Sequence, residues 1–403
     1  LDDEGGERVK AMLDVWCEQV DNYLVAIQRE REKHRLTGQL ADALKDPVLD
    51  RGMQEAIDLL RRQIGFDDFV LAYHHEDARL GDDSGFKVLL DGAVVADSAA
   101  PVDSPWQTRT ANEVDRFLRL DDRTILKELG LNDVREQVLI NGVTDQRVIG
   151  RLVVHRRARG LNTFDMDLLQ RFADFLRQRI VDFNREYKQL AVSFPPAVVR
   201  RLMGEEGYAK RYLQPVERDV VILYTDIVGF TRLSEQVLRS PAKIGHLIDV
   251  WSERVVEILW QTGGVFDKMI GDCVIGLWGP PFYDLSPPDA CRRALAAARE
   301  ILDFTRALAS HPDFPELAEH GLGVSTGINF CPASVGFFGP HEDYTAFGSG
   351  MNNAARLQGL AGPDEILVME SAARHLDPHE VGEERKARVK NVENPLRFFV
   401  AER

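Results

Sequence analysis

Cysteine, long apolar runs and blocks of positive charge are all scarce in this chain of 403 residues. Its four cysteines, Cys17, Cys273, Cys291 and Cys331, are spaced too irregularly for a zinc motif or a disulfide framework. We therefore expect reduced, mostly buried thiols. The longest apolar runs fall well short of the roughly 20 residues that cross a bilayer, so the sequence predicts no membrane span.

An excess of acid distinguishes this chain from typical nucleic-acid-binding proteins. Asp and Glu total 65 against 50 for Lys and Arg, which gives a net charge of −15. Nucleic acid is therefore not an expected partner. Acidic residues also occupy positions 2–4, where a secretory signal would carry positive charge, so we expect a cytoplasmic protein. The length favours two or three domains.

The first 45 residues carry the pattern of a long amphipathic helix. Between positions 7 and 45, apolar side chains recur at helical spacing among charged ones. Such a helix has one apolar stripe to bury, which predicts packing against a partner helix. The stripe consists of Val9, Leu13, Trp16, Val20, Leu24 and Ile27.

Residues 46–164 change to a mixed α/β pattern. The end of this region, with the segment 161–169 and the helix after it, resembles the end of a GAF sensory domain; a PAS domain is the alternative. The resemblance implies a pocket for a small ligand, which the sequence does not identify, or a dimerisation module. The predicted elements are a helix at 53–64 and strands at 68–73, 86–90 and 148–155.

Two cofactors that sensory domains can hold are disfavoured in this region. It contains no cysteine, which argues against a thioether-linked bilin. His74, His75 and His155 are more simply interpreted as solvated or hydrogen-bonded histidines than as haem ligands.

A helix predicted at 165–190 leads out of this domain. Its apolar residues are spaced by three or four positions, as in the seam of a coiled coil. We expect a parallel dimer with a coiled-coil linker over 165–193; the alternative is a helix that folds onto its own domain. Proline cannot continue a helix, so the helix ends at Phe194-Pro195-Pro196, and a connecting segment covers 194–216. The seam consists of Leu169, Phe172, Leu176, Ile180, Phe183, Tyr187 and Leu190.

The chemistry is predicted to centre on a strand that ends in an acid. Residues 219–225 form a β-branched, apolar run of strand length, and Asp226 follows directly. Gly229 comes three residues later, and the sequence from Thr231 onward is typical of a helix start. A turn of this kind presents backbone N–H groups beside a carboxylate, which suits a cation together with a phosphate.

Two further stretches carry polar groups at the ends of strands and helices. Residues 263–279 predict two strands joined by a glycine turn, and that turn carries Asp272. In the segment 344–357 a helix start follows glycines, and Asn352 and Arg356 lie one helical turn apart on the same face.

Together these stretches resemble the catalytic domain of the class III nucleotidyl cyclases, over residues 217–403. The resemblance implies a ferredoxin-like βαββαβ fold, so the chain is predicted to be a mixed α/β, or α+β, multidomain protein. In that family two aspartates bind a pair of divalent metal ions, Mg²⁺ or Mn²⁺. These aspartates correspond to Asp226 and Asp272, with the backbone carbonyl of Ile227 as a further ligand.

The resemblance also implies distinct roles for the other polar residues. Lys268 and Thr345 would bind the purine, Asn352 would orient the ribose, and Arg356 would stabilise the transition state. A local departure occurs at 349–351, where Ser-Gly-Met replaces an acidic or amide residue followed by Thr-Val; it affects details of the helix start. Contacts with the phosphates are implied for Gly229, Phe230, Thr231 and Lys390.

Lys268 and Thr345 favour ATP over GTP. Adenine has an acceptor at N1 and a donor at N6, which the lysine and the threonine hydroxyl can match, whereas guanine presents the opposite sense. A guanylyl cyclase is expected to carry an acid at the position of Lys268. The predicted reaction is the conversion of ATP to 3′,5′-cyclic AMP and pyrophosphate, regulated by the N-terminal sensor.

The family builds each active site between two catalytic domains, one supplying the metal-binding aspartates and the other the remaining groups. This chain carries both sets, which predicts a homodimer with two equivalent sites. A guanylate cyclase, or one of relaxed specificity, is an alternative. So is a non-catalytic nucleotide-binding module, which Asp226, Asp272 and Arg356 disfavour. Residues 265–268 lack the acidic pair expected of a diguanylate cyclase.

Overall fold

The structure is a computed structural model that describes residues 3–74, 86–97, 113–114, 116–118, 120–131, 136–141, 148–156, 160–340, 342–389 and 395–402. The chain divides into two compact units, Leu1–Lys188 and Gln189–Arg403. Each unit builds its own sheet. No helix in the described part of the chain is both long and apolar enough to cross a membrane.

The N-terminal unit is built around an antiparallel sheet of five strands. Its strands are β1 (Asp68–His74), β2 (Phe86–Leu90), β3 (Ala93–Asp97), β4 (Glu136–Asn141) and β5 (Val148–His155). Its helices are α1 (Asp3–Ala43), α2 (Leu49–Ile64), α3 (Thr124–Glu128) and α4 (Thr163–Ala191). The sheet order is β3-β2-β1-β5-β4. This is a mixed α/β unit with the predicted strands in place, and the GAF assignment stays a prediction.

Helix α1 joins this unit through its C-terminal part. Leu36 and Leu40 are buried in the core beside Met53 and Leu60 of α2. The apolar stripe of its first half is exposed in the single chain, with Trp16 62% exposed. Packing of that stripe against a partner helix therefore stays a prediction.

Helix α4 buries much of its predicted coiled-coil seam within its own chain. Leu169, Phe172, Leu176 and Ile180 lie in the core of the N-terminal unit, where the ring of Phe172 meets that of Phe69 at 6.1 Å. An apolar stripe on a helix can pack on a sheet as well as on a second helix. Here the stripe packs on the sheet of its own unit. The coiled-coil linker is not confirmed.

The histidine of β5 has a structural partner. Nδ1 of His155 lies 2.9 Å from Oδ2 of Asp68 on the neighbouring strand β1. His155 is therefore hydrogen-bonded through Nδ1. The side chain of His74 and the whole of His75 lie outside the described residues.

All four cysteines are free, as expected. Cys291 is buried, Cys273 and Cys331 are half-buried, and Cys17 is exposed on α1. The expectation of mostly buried thiols is therefore wrong for Cys17, because the surface of α1 that carries it is open in the single chain.

An eight-stranded sheet organises the C-terminal unit. Its strands are β6 (Val216–Ile227), β7 (Val265–Ile270), β8 (Cys273–Trp278), β9 (Val324–Phe338), β10 (Asp343–Phe347), β11 (Ile366–Met369), β12 (Val381–Ala387) and β13 (Leu396–Ala401). The order is β12-β13-β11-β9-β6-β8-β7, and β10 pairs with β9 outside this path.

The helices of this unit follow the predicted alternation. In chain order β6, α7, β7, β8, α8 and β9 give the βαββαβ arrangement. The helices are α5 (Pro196–Met203), α6 (Phe230–Arg232), α7 (Pro241–Gln261), α8 (Pro287–Leu308), α9 (Ser349–Gln358) and α10 (Glu370–Ala373), with wider π-type turns at Ala209–Leu213 and Leu233–Leu238 and a 3₁₀ turn at Pro315–Leu317.

The two faces of this sheet have different coverings. Val221 and Leu223 of β6 face the main core, which α7 and α8 cover. Successive strand residues alternate, so Asp226 faces the other side. Helix α9 packs on that other side, where Leu357 meets Leu367 of β11. The acid at the end of β6 and helix α9 therefore share one face of the sheet.

Candidate active site

Two acids, Asp226 and Asp272, meet at one edge of the eight-stranded sheet; we call them the acid pair. Asp226 pairs with Cys273, the first residue of β8, and Asp272 precedes Cys273 in the turn after β7. Gly271 has a φ of +65°, a conformation that glycine adopts without strain, so the chain can reverse just before Asp272. Strand register thus brings the two predicted metal ligands together.

Ionisation of the acid pair is unfavourable in the isolated chain. Burial, and then the charge of Asp272, raises the pKa of Asp226 to about 7. Burial raises the pKa of Asp272 as well. Among the described residues, neither acid pairs with a lysine or arginine. Adjacent carboxylates of this kind need an added positive charge, so the site favours a cation.

The donor set fits a hard divalent cation such as Mg²⁺ or Mn²⁺, which takes carboxylate and carbonyl oxygens and keeps several waters. Ile227 buries its side chain, so its backbone is the part available beside Asp226. The described residues contain no group of three or more His, Cys, Asp or Glu side chains placed so that it could hold a metal ion. Burial and the acid pair raise the pKa of Cys273 to about 12, which keeps this thiol protonated in the metal-free chain.

The turn after Asp226 follows the predicted path. Gly229 has a φ of +69°, and the single helical turn α6 begins at Phe230. Gly229 and Thr231 are exposed and Phe230 is half-buried. Their contact with phosphate stays a prediction.

The purine-binding candidates, Lys268 on β7 and Thr345 on β10, are separated by one buried acid; we call them the purine pair. Strand β10 packs against β7. Nζ of Lys268 lies 3.8 Å from Oδ1 of Asp267, and the hydroxyl of Thr345 is close enough to lower the pKa of the same carboxyl. The ammonium is also 6.0 Å from the ring centre of Phe347. The fold thus brings the predicted partners to the two sides of Asp267.

Asn352 and Arg356 lie one turn apart on α9; we call them the helix pair. Nη1 of Arg356 donates to Oδ1 of Asn353 at 3.2 Å. At the start of α9, Gly350 packs so closely on β9 that an added Cβ would lie 1.9 Å from Sγ of Cys331. The segment 349–351, where this chain departs from the family pattern, therefore includes a close packing contact between α9 and β9.

Within the described part of a single chain, the acid pair is not bonded to Lys268 or to the helix pair, which are expected to act with it. Among the described residues, no hydrogen bond or ion pair links the acid pair to Lys268 or to the helix pair. Large apolar side chains beside both sets are exposed, with Ile270 at 60% and Phe347 at 54%. Lys390 lies outside the described residues.

Two residues of the candidate site were not predicted from the sequence. Asp267 lies between the members of the purine pair, and its signal was present: an acid in an apolar strand, next to Lys268. Asn353 holds the guanidinium of Arg356, and nothing in the sequence singled it out from its neighbour Asn352.

Comparison with known proteins identifies the class of the C-terminal unit. Residues 212–401 match the family model described as Adenylate and Guanylate cyclase catalytic domain. The C-terminal unit is therefore a class III nucleotidyl cyclase catalytic domain. The matched residues contain the acid pair, the purine pair and the helix pair.

Individual relatives match the same part of the chain. An uncharacterized protein of Mycobacterium tuberculosis is 31% identical over 206 residues, which is 50% of this chain and 34% of that protein. Adenylate cyclase 1 of Rhizobium meliloti is 31% identical over 159 residues, 39% of this chain and 23% of that protein. This chain therefore spans about a third or less of the length of these relatives.

The matches among solved structures include cyclases of both types. The adenylyl cyclase CyaB from P. aeruginosa is 24% identical with a TM-score of 0.42, and the match covers 47% of this chain and 97% of that one. The guanylyl cyclase Cya2 is 21% identical with a TM-score of 0.39, and the match covers 46% of this chain and 93% of that one.

Proposed function

We propose that the C-terminal unit converts ATP to 3′,5′-cyclic AMP and pyrophosphate. The observation that carries this proposal is the acid pair, because its uncompensated charge suits the metal ions that nucleoside triphosphates require. The matched family includes adenylate and guanylate cyclases, so the choice of ATP rests on the purine pair.

In this reaction the ribose 3′-oxygen attacks the α-phosphorus and pyrophosphate leaves. Two bound ions, Mg²⁺ or Mn²⁺, would lower the pKa of the 3′-hydroxyl and neutralise the leaving group. Asp226 and Asp272, with the carbonyl of Ile227, would hold them. Further contacts with the phosphates are proposed for Gly229, Phe230, Thr231 and Lys390.

The purine pair supports adenine. Lys268 is a donor and suits the N1 acceptor of adenine, and Thr345 supplies an oxygen that can accept from N6. Guanine presents a donor at N1 and an acceptor at O6, which Lys268 cannot match at N1. The side chain of Lys268 is 41% exposed, which leaves room for a base to approach it.

The helix pair supports the chemical step. Arg356 provides a permanently charged, planar group for the charge that develops on the α-phosphate. Asn352, one turn earlier on α9, can hold the ribose so that the 3′-oxygen is aligned with the α-phosphorus. Because Asn353 already holds Nη1 of Arg356, part of the guanidinium is ordered before substrate binds.

We infer that two copies of the chain complete each site. Among the described residues, no hydrogen bond or ion pair joins the acid pair to the helix pair of the same chain. Ile270 adjoins the turn that carries Asp272, Phe347 adjoins Lys268, and both are exposed apolar side chains. Such side chains are commonly buried at protein interfaces. A partner catalytic domain at this surface would bring its helix pair to the acid pair.

The N-terminal unit is proposed to regulate this activity through a small ligand. Inserting one residue near Arg185, in the helix that leads toward the catalytic unit, should change activity or its regulation if the helix transmits a register change. Unchanged activity and regulation would contradict this idea.

The test of function is product formation by the purified chain with ATP or GTP, in Mg²⁺ and then in Mn²⁺, with mass identification of the product. We expect cyclic AMP, and its loss in Asp226→Asn. Asp249→Asn, on the exposed surface of α7, is the matched control and should stay active. Cyclic GMP as the main product would contradict the assignment of ATP.

A further inference from the structure

Asp267 is a buried acid between the two members of the purine pair. Its side chain is 0% exposed, and neither of its oxygens has a hydrogen bond of normal geometry within the described part of the chain. The hydroxyl of Thr345 is also buried without such a partner. Buried polar atoms nearly always have partners, so two adjacent exceptions indicate groups that are kept for a ligand.

A bulge in β7 creates this arrangement. The pairing with β8 passes from Phe266 opposite Gly276 to Lys268 opposite Ile275, which leaves Asp267 as the extra residue. In a regular strand, neighbouring side chains point to opposite faces, and a bulge changes that direction. Here it brings the carboxyl of Asp267 to 3.8 Å from the ammonium of Lys268.

We propose that Asp267 is a positioning residue for purine selection, which orients the hydroxyl of Thr345 and the ammonium of Lys268 toward adenine. This inference rests on the proposed adenylate cyclase activity and deepens it. A threonine hydroxyl can donate one hydrogen bond and accept two, so by itself it does not discriminate N6 of adenine from O6 of guanine. A neighbouring carboxylate removes this ambiguity.

An ionised carboxylate only accepts hydrogen bonds. The hydroxyl of Thr345 must therefore direct its hydrogen to Asp267, which leaves its oxygen lone pairs to accept from N6 of adenine. The same oxygen would repel O6 of guanine. Burial raises the pKa of Asp267 to about 6, while Thr345 and Lys268 act in the opposite direction, so the carboxylate form prevails at pH 8.

The carboxylate also restrains Lys268. A lysine ammonium is a mobile point charge on a flexible chain, and the buried acid limits where it can lie. With Asp267 on one side and the ring of Phe347 6.0 Å away, the ammonium is held near the end of β7. The carboxyl of Asp267 thus positions both the hydroxyl of Thr345 and the ammonium of Lys268.

The experiment compares kcat/KM for ATP and for GTP in the full chain and its variants at pH 8. Asp267→Asn keeps the shape of the side chain but adds a donor that can point at Thr345. We expect the ATP-to-GTP ratio to fall about tenfold, because the hydroxyl can then donate to O6 of guanine. The matched control is Asp343→Asn, the same change on the exposed start of β10, which should leave the ratio unchanged.

A double-mutant cycle separates positioning from a general structural role. Thr345→Val removes the hydroxyl, so adding Asp267→Asn to it should produce little further change in the ratio. If Asp267→Asn lowers kcat for both nucleotides equally, or leaves the ratio unchanged, the inference is wrong. If turnover is too low to measure, the same ratio is taken from the Kd values of ATP and GTP by calorimetry.

Failure of the parent proposal gives a different result. A wild-type chain that prefers GTP contradicts the adenylate assignment itself. A wild-type chain that prefers ATP, combined with an unchanged ratio in Asp267→Asn, contradicts only the role of Asp267.

Discussion

The carboxyl of Asp226 lies against that of Asp272, because Asp226 pairs with Cys273 across the ladder between β6 and β8. The closeness of the two carboxyls makes the free energy of unfolding depend on pH. The pKa of Asp226 is about 7 in the folded chain against an ordinary value of 3.8. The folded state therefore binds the proton more tightly than the unfolded state, and stability falls as pH rises from about 4 to about 7.

Asp226→Asn should therefore stabilise the metal-free chain, and more so at pH 8 than at pH 5. The amide cannot ionise, so it avoids the burial and repulsion that the carboxylate meets above pH 7. Thermal unfolding in a chelator measures the effect, with Asp249→Asn as the control for removing an exposed charge. Added Mg²⁺ should raise the melting temperature of the wild type but not that of Asp226→Asn. An equal gain at both pH values would argue against the raised pKa.

Mixing two inactive chains tests the shared site. Arg356→Ala should lower kcat about 10³-fold or more, as for arginines that stabilise phosphoryl transfer, and Asp226→Ala should be inactive for lack of metal. In an equal mixture that exchanges subunits, half of the dimers are mixed and each holds one intact site. We therefore expect about a quarter of wild-type activity.

Two controls accompany the mixing experiment. Arg374→Ala, an exposed arginine that pairs with Glu370, should remain active alone. Each site variant incubated alone should stay inactive. No recovery in the mixture, with subunit exchange demonstrated, would refute a site built from two chains.

Lys268→Glu should shift the base preference toward GTP. Glutamate accepts where lysine donates, which opposes N1 of adenine and suits the N1–H of guanine. We expect ATP turnover to fall about hundredfold and the GTP-to-ATP ratio to rise. Lys268→Met removes the donor without adding an acceptor, so it should lose ATP turnover without gaining GTP turnover. Equal losses for both nucleotides in the two variants would contradict a role in base selection.

Gly350→Ala should disturb α9 although alanine is the better helix former. The added Cβ would lie 1.9 Å from Sγ of Cys331, so the helix or the strand must move. We expect a lower melting temperature and a lower kcat, because the helix pair moves with α9. Cys331→Ala in the same chain should restore part of both.

Gly245→Ala is the matched control for that change. Gly245 lies on α7 with no atom within 4 Å of an added Cβ, so alanine should stabilise the chain by about 0.5–1 kcal/mol. If both glycine variants behave alike, close packing at Gly350 does not fix the position of α9.

Local patterns predicted most of the catalytic unit. The apolar run that ends at Asp226, the two strands flanking Asp272 and the helix start before Asn352 all occur where expected. Each is specified within a few residues, by strand alternation, glycine turns and helix spacing. The purine pair came instead from the resemblance to the cyclase family, and its role stays a prediction.

The linker helix shows where local patterns stop being sufficient. The spacing of Leu169, Phe172, Leu176 and Ile180 fits both a coiled coil and a helix packed on a sheet. The sequence specifies that this stripe must be buried, but it does not specify against what. The fold of the single chain buries these four side chains in its own core.

The sequence by itself determined which residues are candidates for the chemistry and which elements hold them, because residue type and short-range spacing are local properties. Only the tertiary structure decided how groups far apart in sequence meet. Asp226 reaches Asp272 through strand register, and Asp267 lies between Lys268 and Thr345 because β10 packs against a bulge in β7. The raised pKa values of these acids follow from that packing, since burial and neighbouring charge exist only in the folded chain.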